Sequence, residues 1–338
     1  MKQKLYIITL EPIEQRYTKQ WYSFLKEKFS LYYDVEYIDG DYKDDIIESG
    51  RFLDINKTNI YKAQQIMKMA MLFQRKIIKN DDLFLFCDAW HYGITALRYM
   101  AKLNNLDIKI FGYWHAGTYD PYDFISQAGL NKWASFNEVG WFKTLDGSFV
   151  ATTFHKRLIL DYFGKDVNTH KIHVVGFPMD WQKEVDERVP VKKEKENIVV
   201  FPHRLDSEKQ PEVFDKLAEA FPDYKFIKTL EVTKNKKDYY ELLQRAKFVF
   251  SASLQETFGI GTVEALFLDC VPLVPNRLAY KELYSPAFKY KSFENAKVLF
   301  QFMIDNYDKY PLIIKENKRL ISNKSLNAVK RMVEEMRR

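Results

Sequence analysis

The sequence predicts an α/β protein built from two domains. Short apolar runs alternate with segments of helical periodicity, which is typical of a mostly parallel sheet flanked by helices. The chain has 338 residues, enough for two domains that each bury a core. A highly charged segment interrupts the alternation, which then restarts. We therefore predict a first domain over residues 1–180, a charged linker or hinge over 181–197, a second domain over 198–320 and a C-terminal helix over 321–338.

The first domain opens with an apolar strand, LYIITL, and continues as alternating helices and strands. Helical spacing of apolar residues marks EQRYTKQWYSFLKEKF, TNIYKAQQIMKMAMLFQRKIIKN, TALRYMAKLNN and HKRLILDYFG. Strand-like runs are YDVEYIDG, DDLFLFCDAW, IKIFGYWHAG, GSFVATTF and KIHVVGFPMD. Ligands of open α/β sheets bind at the carboxyl ends of strands, so residues 88–93 and 115–123 are candidate binding loops.

The interrupting segment, WQKEVDERVPVKKEKEN, has ten charged residues among its 17 and a proline, and we find no apolar period in it. These features favour a linker or hinge that would allow domain closure. Beyond it, the strands NIVVFPHR, YKFIKTL, KFVFSAS and VPLVP alternate with the helices QPEVFDKLAEAF, KKDYYELLQRA and GTVEALFLDC. YKELYSP, NAKVLFQFMIDNY and LNAVKRMVEEMRR complete the chain as helices.

Composition excludes several classes of protein. No stretch approaches 18 uninterrupted apolar residues, so we predict no membrane span, and the short N-terminal apolar run indicates a strand rather than a signal peptide. Cys87 and Cys270 lie in apolar segments and form no disulfide framework or metal site. We expect a cytoplasmic protein. A net charge of +6 fits an anionic ligand or nucleic acid, and equally a Lys-rich surface.

The most informative stretch is residues 251–276, SASLQETFGIGTVEALFLDCVPLVPN. A strand leads into a loop that holds Glu256, Gly259 and Gly261, and a helix with Glu264 follows. The backbone N–H groups and the positive dipole end of such a helix attract anions. Two carboxylates beside them would suit a sugar nucleotide, with hydroxyls for the acids and phosphates for the amides. The Glu-x7-Glu spacing alone is a common coincidence.

A second signal lies upstream, where the strand NIVVFP ends at His203 and Arg204, and Lys209 follows. Arg204 can bind a phosphate through two parallel hydrogen bonds, and Lys209 can add a point charge. In a parallel sheet this loop opens at the same edge as the Glu256 loop. By itself, an isolated Arg-x4-Lys pair favours the simpler interpretation of two surface cations on a loop.

Together these segments resemble a known family. FPHRLDSEKQPEVF is similar to the Arg-x4-Lys segment of retaining GT-B glycosyltransferases of the Glu-x7-Glu type (glycosyltransferase family 4). QETFGIGTVEALFLDCVPLVPNRLAYKEL resembles their signature helix and strand, and TTFHKRLILDYFG with KIHVVGFPMD resembles the end of their first domain. The resemblance implies a GT-B fold, with two Rossmann-like domains facing across a cleft and a C-terminal helix that could cross back to the first domain.

The resemblance also implies a donor site for a nucleoside-diphosphate sugar, with UDP favoured. Glu264 would accept hydrogen bonds from the ribose hydroxyls, and Arg204 and Lys209 would neutralise the diphosphate as the leaving group departs. The backbone that would approach the phosphates belongs to Phe258, Gly259, Ile260 and Gly261. Glycine is useful there because it lets the backbone come close.

Three residues are the predicted catalytic group: Asp88, His115 and Glu256. By resemblance, Glu256 would hold hydroxyls of the transferred sugar and His115 would touch that sugar, although His115 could also be a packed or capping histidine. The class is thought to use front-face displacement without an enzymic nucleophile. Asp88 is our candidate to orient or deprotonate the acceptor hydroxyl, with Asp120 and Asp123 as alternates. All three aspartates could equally shape their loops.

A competing signal is Asp39-Gly40-Asp41, a D-x-D pattern that would hold Mn²⁺ in the other large glycosyltransferase fold. Asp-Gly is also ordinary turn chemistry. Arg204, Lys209 and the helix terminus already supply the positive charge that a metal would bring. We therefore predict no metal.

For the acceptor, the segments TLEPIEQRYTKQWY, CDAWHYG, HAGTYDPYDF, PHRLDSEKQP and PNRLAYKEL are most similar to bacteriophage glycosyltransferases that act on hydroxymethylated DNA. They are also similar to enzymes that mannosylate queuosine in tRNA. The resemblance implies a 5-hydroxymethylpyrimidine acceptor, and DNA is favoured over tRNA.

The predicted acceptor residues are Trp90, His91, Tyr119 and Asp120, and Tyr92, Trp114 and Tyr122 could join the aromatic ones in stacking on an extruded base. The alternatives are a cell-envelope glycan acceptor, a non-catalytic binding protein on the same fold and a nucleotide-sugar epimerase.

Overall fold

The computed structural model describes residues 2–41, 54–191 and 193–338. The chain divides into two compact units. Unit 1 comprises Met1–Met179 and Asn327–Arg338, and unit 2 comprises Asp180–Leu326. Each unit contains one parallel sheet with helices, so the predicted fold class is confirmed.

Within its described residues, unit 1 holds a six-stranded parallel sheet in the order β2-β1-β3-β4-β5-β6. The strands are β1 (Lys4–Ile8), β2 (Asp34–Ile38), β3 (Leu83–Phe86), β4 (Lys109–Tyr113), β5 (Gly147–Val150) and β6 (Ile172–Val174). The helices are α1 (Tyr17–Phe29), α2 (Ile55–Gln74), α3 (Gly93–Leu103), α4 (Phe124–Gln127), α5 (Asn131–Thr144), α6 (Thr153–Phe163) and α15 (Ala328–Met336). Every residue of β3 is buried, as expected for a central strand covered on both faces.

Unit 2 has a five-stranded parallel sheet in its described residues, in the order β11-β10-β9-β7-β8. The strands are β7 (Glu196–Phe201), β8 (Lys225–Lys228), β9 (Ala246–Phe250), β10 (Val271–Pro275) and β11 (Lys289–Tyr290). The helices are α7 (Trp181–Arg188), α8 (Pro211–Ala220), α9 (Thr229–Val232), α10 (Lys236–Arg245), α11 (Ile260–Phe267), α12 (Tyr280–Leu283), α13 (Phe293–Asp305) and α14 (Tyr310–Leu326). The strands β7 and β9 are neighbours, which brings the two predicted donor-site loops to one edge.

The segment predicted as a linker begins instead with the helix α7, which belongs to unit 2. Asp180 caps it by accepting from the Lys183 amide at 3.1 Å. Trp181 and Val185 are buried one helical turn apart, and the Trp181 ring stacks on Phe258. Two apolar residues at this spacing are enough to anchor one face of a short helix, and the many charges around them obscure the pattern in the sequence.

The prediction of a single C-terminal helix is also corrected. Residues 321–338 contain the end of α14 and all of α15, with Asn327 between the two helices. As expected, α15 belongs with the first half of the chain, where the Arg331 Nε donates to the Val175 carbonyl at 2.8 Å. Neither α5 nor the first three turns of α14, residues 310–320, is predicted from the sequence. Among the described residues, no helix has the length and apolarity needed to cross a bilayer.

Candidate active site

Two loops of unit 2 pack together at the carboxyl edge of the sheet. One follows β7 and contains residues 202–210, and the other follows β9 and contains residues 251–259. The Leu254 amide donates to the Glu208 carbonyl at 2.7 Å and ties the loops together. Gly261 lies against the end of β7, where an added Cβ would be only 2.9 Å from the Pro202 carbonyl oxygen. Glycine is therefore required at this close approach.

Lys209 and Glu256, predicted to act on phosphate and sugar, form an ion pair with each other. The Lys209 Nζ lies 2.9 Å from the Glu256 Oε1. It also donates to the backbone carbonyl and the side-chain oxygen of Gln255, at 2.5 and 3.1 Å. Only 5% of Lys209 is exposed. The pair is thus held in a largely dry environment at the junction of the two loops, where each charge acts strongly.

Arg204 is half-buried beside this pair and is held by two carboxylates of its own loop. Its Nη1 lies 2.7 Å from Asp206 Oδ2, and its Nη2 lies 3.0 Å from Glu208 Oε1. An anion that binds Arg204 would therefore compete with Asp206 and Glu208 for the guanidinium donors.

His203 also lies at this site, although no role was predicted for it from the sequence. It is buried, and its Nδ1 lies 3.6 Å from Glu256 Oε1. Burial lowers the pKa of His203 well below its usual range, and the charges of Lys209 and Arg204 lower it further. The imidazole is therefore neutral at pH 7. Among the residues that the structure describes, its Nε2 has no hydrogen-bond partner.

The glycine loop takes the shape expected for the start of a helix. Gly259 has a φ of +87°, in the left-handed region that favours glycine, and precedes α11 as a cap without a side chain. The Thr262 hydroxyl donates to the Gly259 carbonyl at 2.8 Å. Phe258 is buried against Trp181, and Ile260 begins the helix. The positive end of the α11 dipole consequently lies at the same edge as Lys209.

Glu264 is more enclosed than the sequence suggests, with 2% of the residue exposed. Its Oε1 accepts from the Lys236 ammonium and, at 2.9 Å, from the Tyr240 hydroxyl. Its Oε2 accepts from the Tyr239 hydroxyl at 3.0 Å. Burial, together with the Glu264 charge, raises the pKa of both tyrosines well above the usual range. These three partners were not predicted, although Lys-x2-Tyr-Tyr at the start of a helix is a signal that the sequence contains.

In unit 1, Asp88 follows β3 and is tied into its loop. Its Oδ1 accepts from the Trp90 amide at 3.0 Å, and its Oδ2 lies 3.2 Å from the Lys62 Nζ. Lys62, on α2, also donates to the Trp90 carbonyl at 2.6 Å. Asp88 therefore shapes its loop, which was the alternative to an acceptor role. It also forms an ion pair with Lys62, which was not predicted from the sequence.

His115 is engaged through both ring nitrogens. Its Nε2 lies 2.8 Å from the Cys87 carbonyl oxygen, which can only accept, so Nε2 carries the proton. Its Nδ1, 3.2 Å from the Tyr17 hydroxyl, is then the acceptor. Burial lowers the pKa of His115, so the ring is neutral at pH 7. The ring also packs against Trp21 and Phe177.

Several predicted acceptor residues are buried, and the structure does not fit a stacking role for them. His91 accepts from the Gly93 amide at 2.9 Å and lies 3.1 Å from the Gln65 Oε1, and its burial lowers its pKa well below the usual range. Tyr119 bonds to His155 at 2.7 Å within the core. Trp114 is also fully buried. Core packing covers the ring faces that a base would need.

The remaining acceptor candidates differ in exposure. Asp120 is buried and accepts from the Tyr122 amide at 3.0 Å, which fits the loop-forming alternative. Trp90 is half-buried, with its ring edge-on to Trp141. Tyr92 and Tyr122 are 37% and 41% exposed. Of the aromatic set, these two tyrosines present open surface.

The two aspartates of the D-x-D pattern are engaged separately. Asp39 accepts from the Thr9 and Tyr22 hydroxyls at 2.5 and 2.8 Å. Asp41 lies 3.4 Å from the Lys68 Nζ. In the described parts of the chain, no group of three or more His, Cys, Asp or Glu side chains is arranged to hold a metal ion.

Solved structures with a similar overall fold identify the fold family of this architecture. The chain is similar to sucrose-phosphate synthase from Thermosynechococcus elongatus, with a TM-score of 0.67 and 11% identity over 99% of this chain and 98% of that one. An α,α-trehalose-phosphate synthase (UDP-forming) from Burkholderia vietnamiensis gives a TM-score of 0.65 at 11% identity, over 100% and 99% of the two chains. This protein has the GT-B fold. At such low identity the likeness concerns the fold alone.

Two further comparisons are more limited. S. aureus TarM, solved in complex with UDP, matches with a TM-score of 0.57 and 13% identity over 80% of this chain and 59% of that one. A Drosophila melanogaster tRNA-queuosine alpha-mannosyltransferase is 37% identical over 49 residues, which is 14% of this chain and 13% of that protein. No protein-family model matches the chain.

Proposed function

We propose that this protein is a retaining glycosyltransferase that uses a nucleoside-diphosphate sugar, with UDP as the favoured nucleotide. The observation that carries the proposal is the buried Lys209–Glu256 ion pair, 2.9 Å apart, at the junction of the two carboxyl-edge loops of unit 2. Arg204 and the N-terminus of α11 lie at the same edge. The site therefore offers positive charge for a diphosphate and a carboxylate for sugar hydroxyls within one set of contacts.

The proposed chemistry follows from these charges. Lys209, Arg204 and the first amides of α11 would bind the diphosphate and stabilise it as negative charge develops on the leaving group. Glu256 would give up part of its contact with Lys209 and accept hydrogen bonds from the transferred sugar. The cations and the helix terminus supply the charge that a metal would otherwise provide, and we propose a reaction without one.

Glu264 retains a place in this proposal with a narrower role. A carboxylate has about four acceptor positions, and three donors already occupy three of them. The free position is on Oε2, beside the Tyr239 hydroxyl. One ribose hydroxyl could donate to that position, and the neighbouring ribose hydroxyl could donate to the Tyr239 oxygen, whose own proton already goes to Glu264. We therefore propose that Glu264 and Tyr239 bind the ribose together.

For the acceptor, we propose a hydroxyl on a nucleic-acid base, with 5-hydroxymethylcytosine in DNA as the first candidate. Sequence resemblance to bacteriophage enzymes supports the DNA candidate. The 49-residue match to a tRNA-queuosine alpha-mannosyltransferase supports a tRNA base as the second. Tyr92 and Tyr122, the exposed members of the predicted aromatic set, would stack on the base. Asp88, paired with Lys62, is the candidate to orient the acceptor hydroxyl.

A labelling experiment tests the proposal. The protein is incubated with radiolabelled UDP-glucose, UDP-N-acetylglucosamine or GDP-mannose and with unmodified DNA, hydroxymethylcytosine DNA, tRNA or a lipid-linked glycan. We expect label in hydroxymethylcytosine DNA only. Label in tRNA or glycan instead would replace the acceptor, and intact nucleotide sugar with every acceptor would refute the transferase.

The donor site is tested by direct binding. Lys209→Met removes the buried cation, and we expect it to weaken UDP binding at least tenfold in calorimetry, because a charged contact in a dry site contributes more than 1.4 kcal/mol. Lys216→Met, an exposed residue of α8, is the matched control. Equal UDP affinity in both variants would contradict the placement of the diphosphate.

A further inference from the structure

We propose that Glu138, on α5, is a positioning residue that sets the two carboxyl-edge loops of unit 1 on which the acceptor residues lie. This inference rests on the proposed function. Neither α5 nor a role for this glutamate is predicted from the sequence. Glu138 is completely buried and hydrogen-bonds to both loops, residues 88–93 and residues 115–123.

The hydrogen bonds of Glu138 form a bridge. Its Oε1 accepts from the Trp90 Nε1 and from the Thr118 amide, each at 2.8 Å. Its Oε2 accepts from the Thr118 hydroxyl at 2.5 Å. Each of these donors belongs to one of the loops, so a single carboxylate holds the loop after β3 to the loop after β4.

On the first loop, Trp90, which donates to Glu138, lies two residues after Asp88, the candidate to orient the acceptor hydroxyl. Trp90 donates its amide to Asp88 Oδ1 at 3.0 Å, and its carbonyl accepts from the Lys62 Nζ at 2.6 Å. Lys62 in turn pairs with Asp88 Oδ2 at 3.2 Å. Fixing the Trp90 indole therefore fixes the backbone that orients the Asp88 carboxylate.

On the second loop, the Gly117 backbone packs closely against the Glu138 carboxylate. A Cβ added to Gly117 would be 2.8 Å from Glu138 Oε1, so only glycine permits this approach. The Thr118 carbonyl accepts from the Ser126 hydroxyl at 3.1 Å, which extends the contact toward α4. His115 precedes Gly117 by two residues. Glu138 thus sets the path of the chain that leaves His115.

A carboxylate at position 138 indicates a role for its charge, because a buried charge is costly. The pKa of Glu138 is raised to about 7, mainly by burial and also by the nearby Asp123, and its hydrogen bonds to Thr118 and Trp90 oppose this rise. Tyr119 and His155 beside this loop are neutral, since burial raises the pKa of the first and lowers that of the second to about 3. A glutamine could make the same three contacts without the cost, with the Thr118 hydroxyl reversed.

Ionised Glu138 would make shorter and stronger hydrogen bonds than the protonated acid. The bridge is therefore strongest above pH 7 and weakens as the pH falls through 7. Glu138→Gln keeps the contacts but stays in the neutral form at every pH. We expect it to resemble the protonated wild-type protein, and Glu138→Ala to lose the bridge altogether.

The kinetic experiment measures transfer to hydroxymethylcytosine DNA between pH 5.5 and 8.5. In the wild type we expect kcat/KM for this acceptor to rise severalfold through pH 7. Glu138→Gln should lack this rise and match the wild type at pH 5.5. Glu138→Ala should be about 100-fold slower at pH 8, as misplacement of reacting groups by about 1 Å can cause. The KM for the donor should change less than twofold in both variants.

A control and a coupling test accompany these variants. Glu27→Gln, an exposed glutamate of α1, should keep the wild-type profile. Trp90→Phe removes the indole donor, and its effect should not add to that of Glu138→Ala, because both break the same bridge. Two results would overturn the positioning role. One is a wild-type pH profile in Glu138→Gln, and the other is a rise in the donor KM of Glu138→Ala as large as its loss of kcat/KM for the acceptor.

Amide hydrogen exchange supplies a readout that needs no substrate. The Thr118 amide, which donates to Glu138, should exchange at least tenfold faster in Glu138→Ala than in wild type or Glu138→Gln. An unchanged rate would refute the bridge. If the wild type transfers no sugar to any acceptor, the proposed function fails, and this measurement still decides whether Glu138 holds the two loops. Near-ultraviolet circular dichroism of Glu138→Gln checks that the comparison is made on folded protein.

Discussion

At the scale of single residues, buried charges in this protein are held by several donors at once. Glu264 accepts from Lys236, Tyr239 and Tyr240, and Glu138 accepts from Trp90 and Thr118. Each carboxylate lies behind a carboxyl-edge loop of its unit rather than on open surface. Such a group is stable only while its partners remain, because an unpaired charge in a dry interior is costly.

Lys236→Met tests this at Glu264. The substitution keeps most of the side-chain volume but leaves a buried carboxylate without its cation, and we expect the free energy of unfolding to fall by about 3–5 kcal/mol. Urea denaturation measures the change. Lys237→Met, at the exposed neighbouring position, should change it by less than about 0.5 kcal/mol. A loss at Lys236 no larger than that of the control would mean that the ion pair does not stabilise the fold.

At the scale of elements, the proposed donor edge of unit 2 depends on close packing between the start of α11 and the end of β7. Gly259 turns the chain into the helix with a positive φ, and Gly261 allows the helix to contact the Pro202 backbone. The helix α7 lies behind this loop, where Trp181 stacks on Phe258. The glycines therefore determine where the helix terminus lies relative to Lys209.

Gly261→Ala should displace this terminus. The new Cβ would meet a backbone oxygen at 2.9 Å, and a backbone atom cannot move aside cheaply. We expect a loss of about 1–3 kcal/mol in stability and weaker UDP binding. Gly140→Ala on α5 is the control, since its Cβ would meet nothing within 4 Å, and it should stabilise the helix by about 0.5–1 kcal/mol. Full UDP affinity in Gly261→Ala, measured by calorimetry, would contradict the role given to this contact.

At the scale of the whole molecule, unit 1 is assembled from two distant parts of the chain. The chain leaves it at Met179 and returns at Asn327. On return, α15 buries Val329, Met332, Val333 and Met336. Glu335 lies 3.2 Å from the His173 Nδ1, so polar contacts at the edge of this apolar face also reach unit 1. The apolar face of α15 is thus part of the core of the first unit.

Met332→Ala tests this assembly. Met332 is almost fully buried, and we expect its truncation to cost about 2–5 kcal/mol in the free energy of unfolding. Lys330→Ala, on the exposed face of the same helix, should cost less than about 0.5 kcal/mol. Guanidinium denaturation followed by tryptophan fluorescence measures both. Equal midpoints would show that α15 adds nothing to the stability of unit 1.

The sequence by itself determined the alternation of strands and helices, because apolar periodicity is a local property of the chain. It also located the proposed donor loops, since Gly259, Gly261 and the Arg204–Lys209 segment follow strands whose carboxyl ends share one edge of a parallel sheet. The helix α7 escaped prediction because its two buried residues stand among many charges. The helix α5 escaped because its apolar residues do not follow a clear helical period.

Only the tertiary structure decided which polar side chains are buried and whom they contact. His91, Tyr119 and Asp120 look like loop residues in the sequence, yet the fold encloses them. Lys62 and Asp88 are 26 positions apart, and Glu138 and Trp90 are 48 apart, so no local pattern could pair them. Burial and hydrogen bonding are set by the packing of distant segments. The two loops of the proposed donor site could therefore be found from the sequence, whereas the contacts of Glu264 and the hydrogen bonds of Glu138 could not.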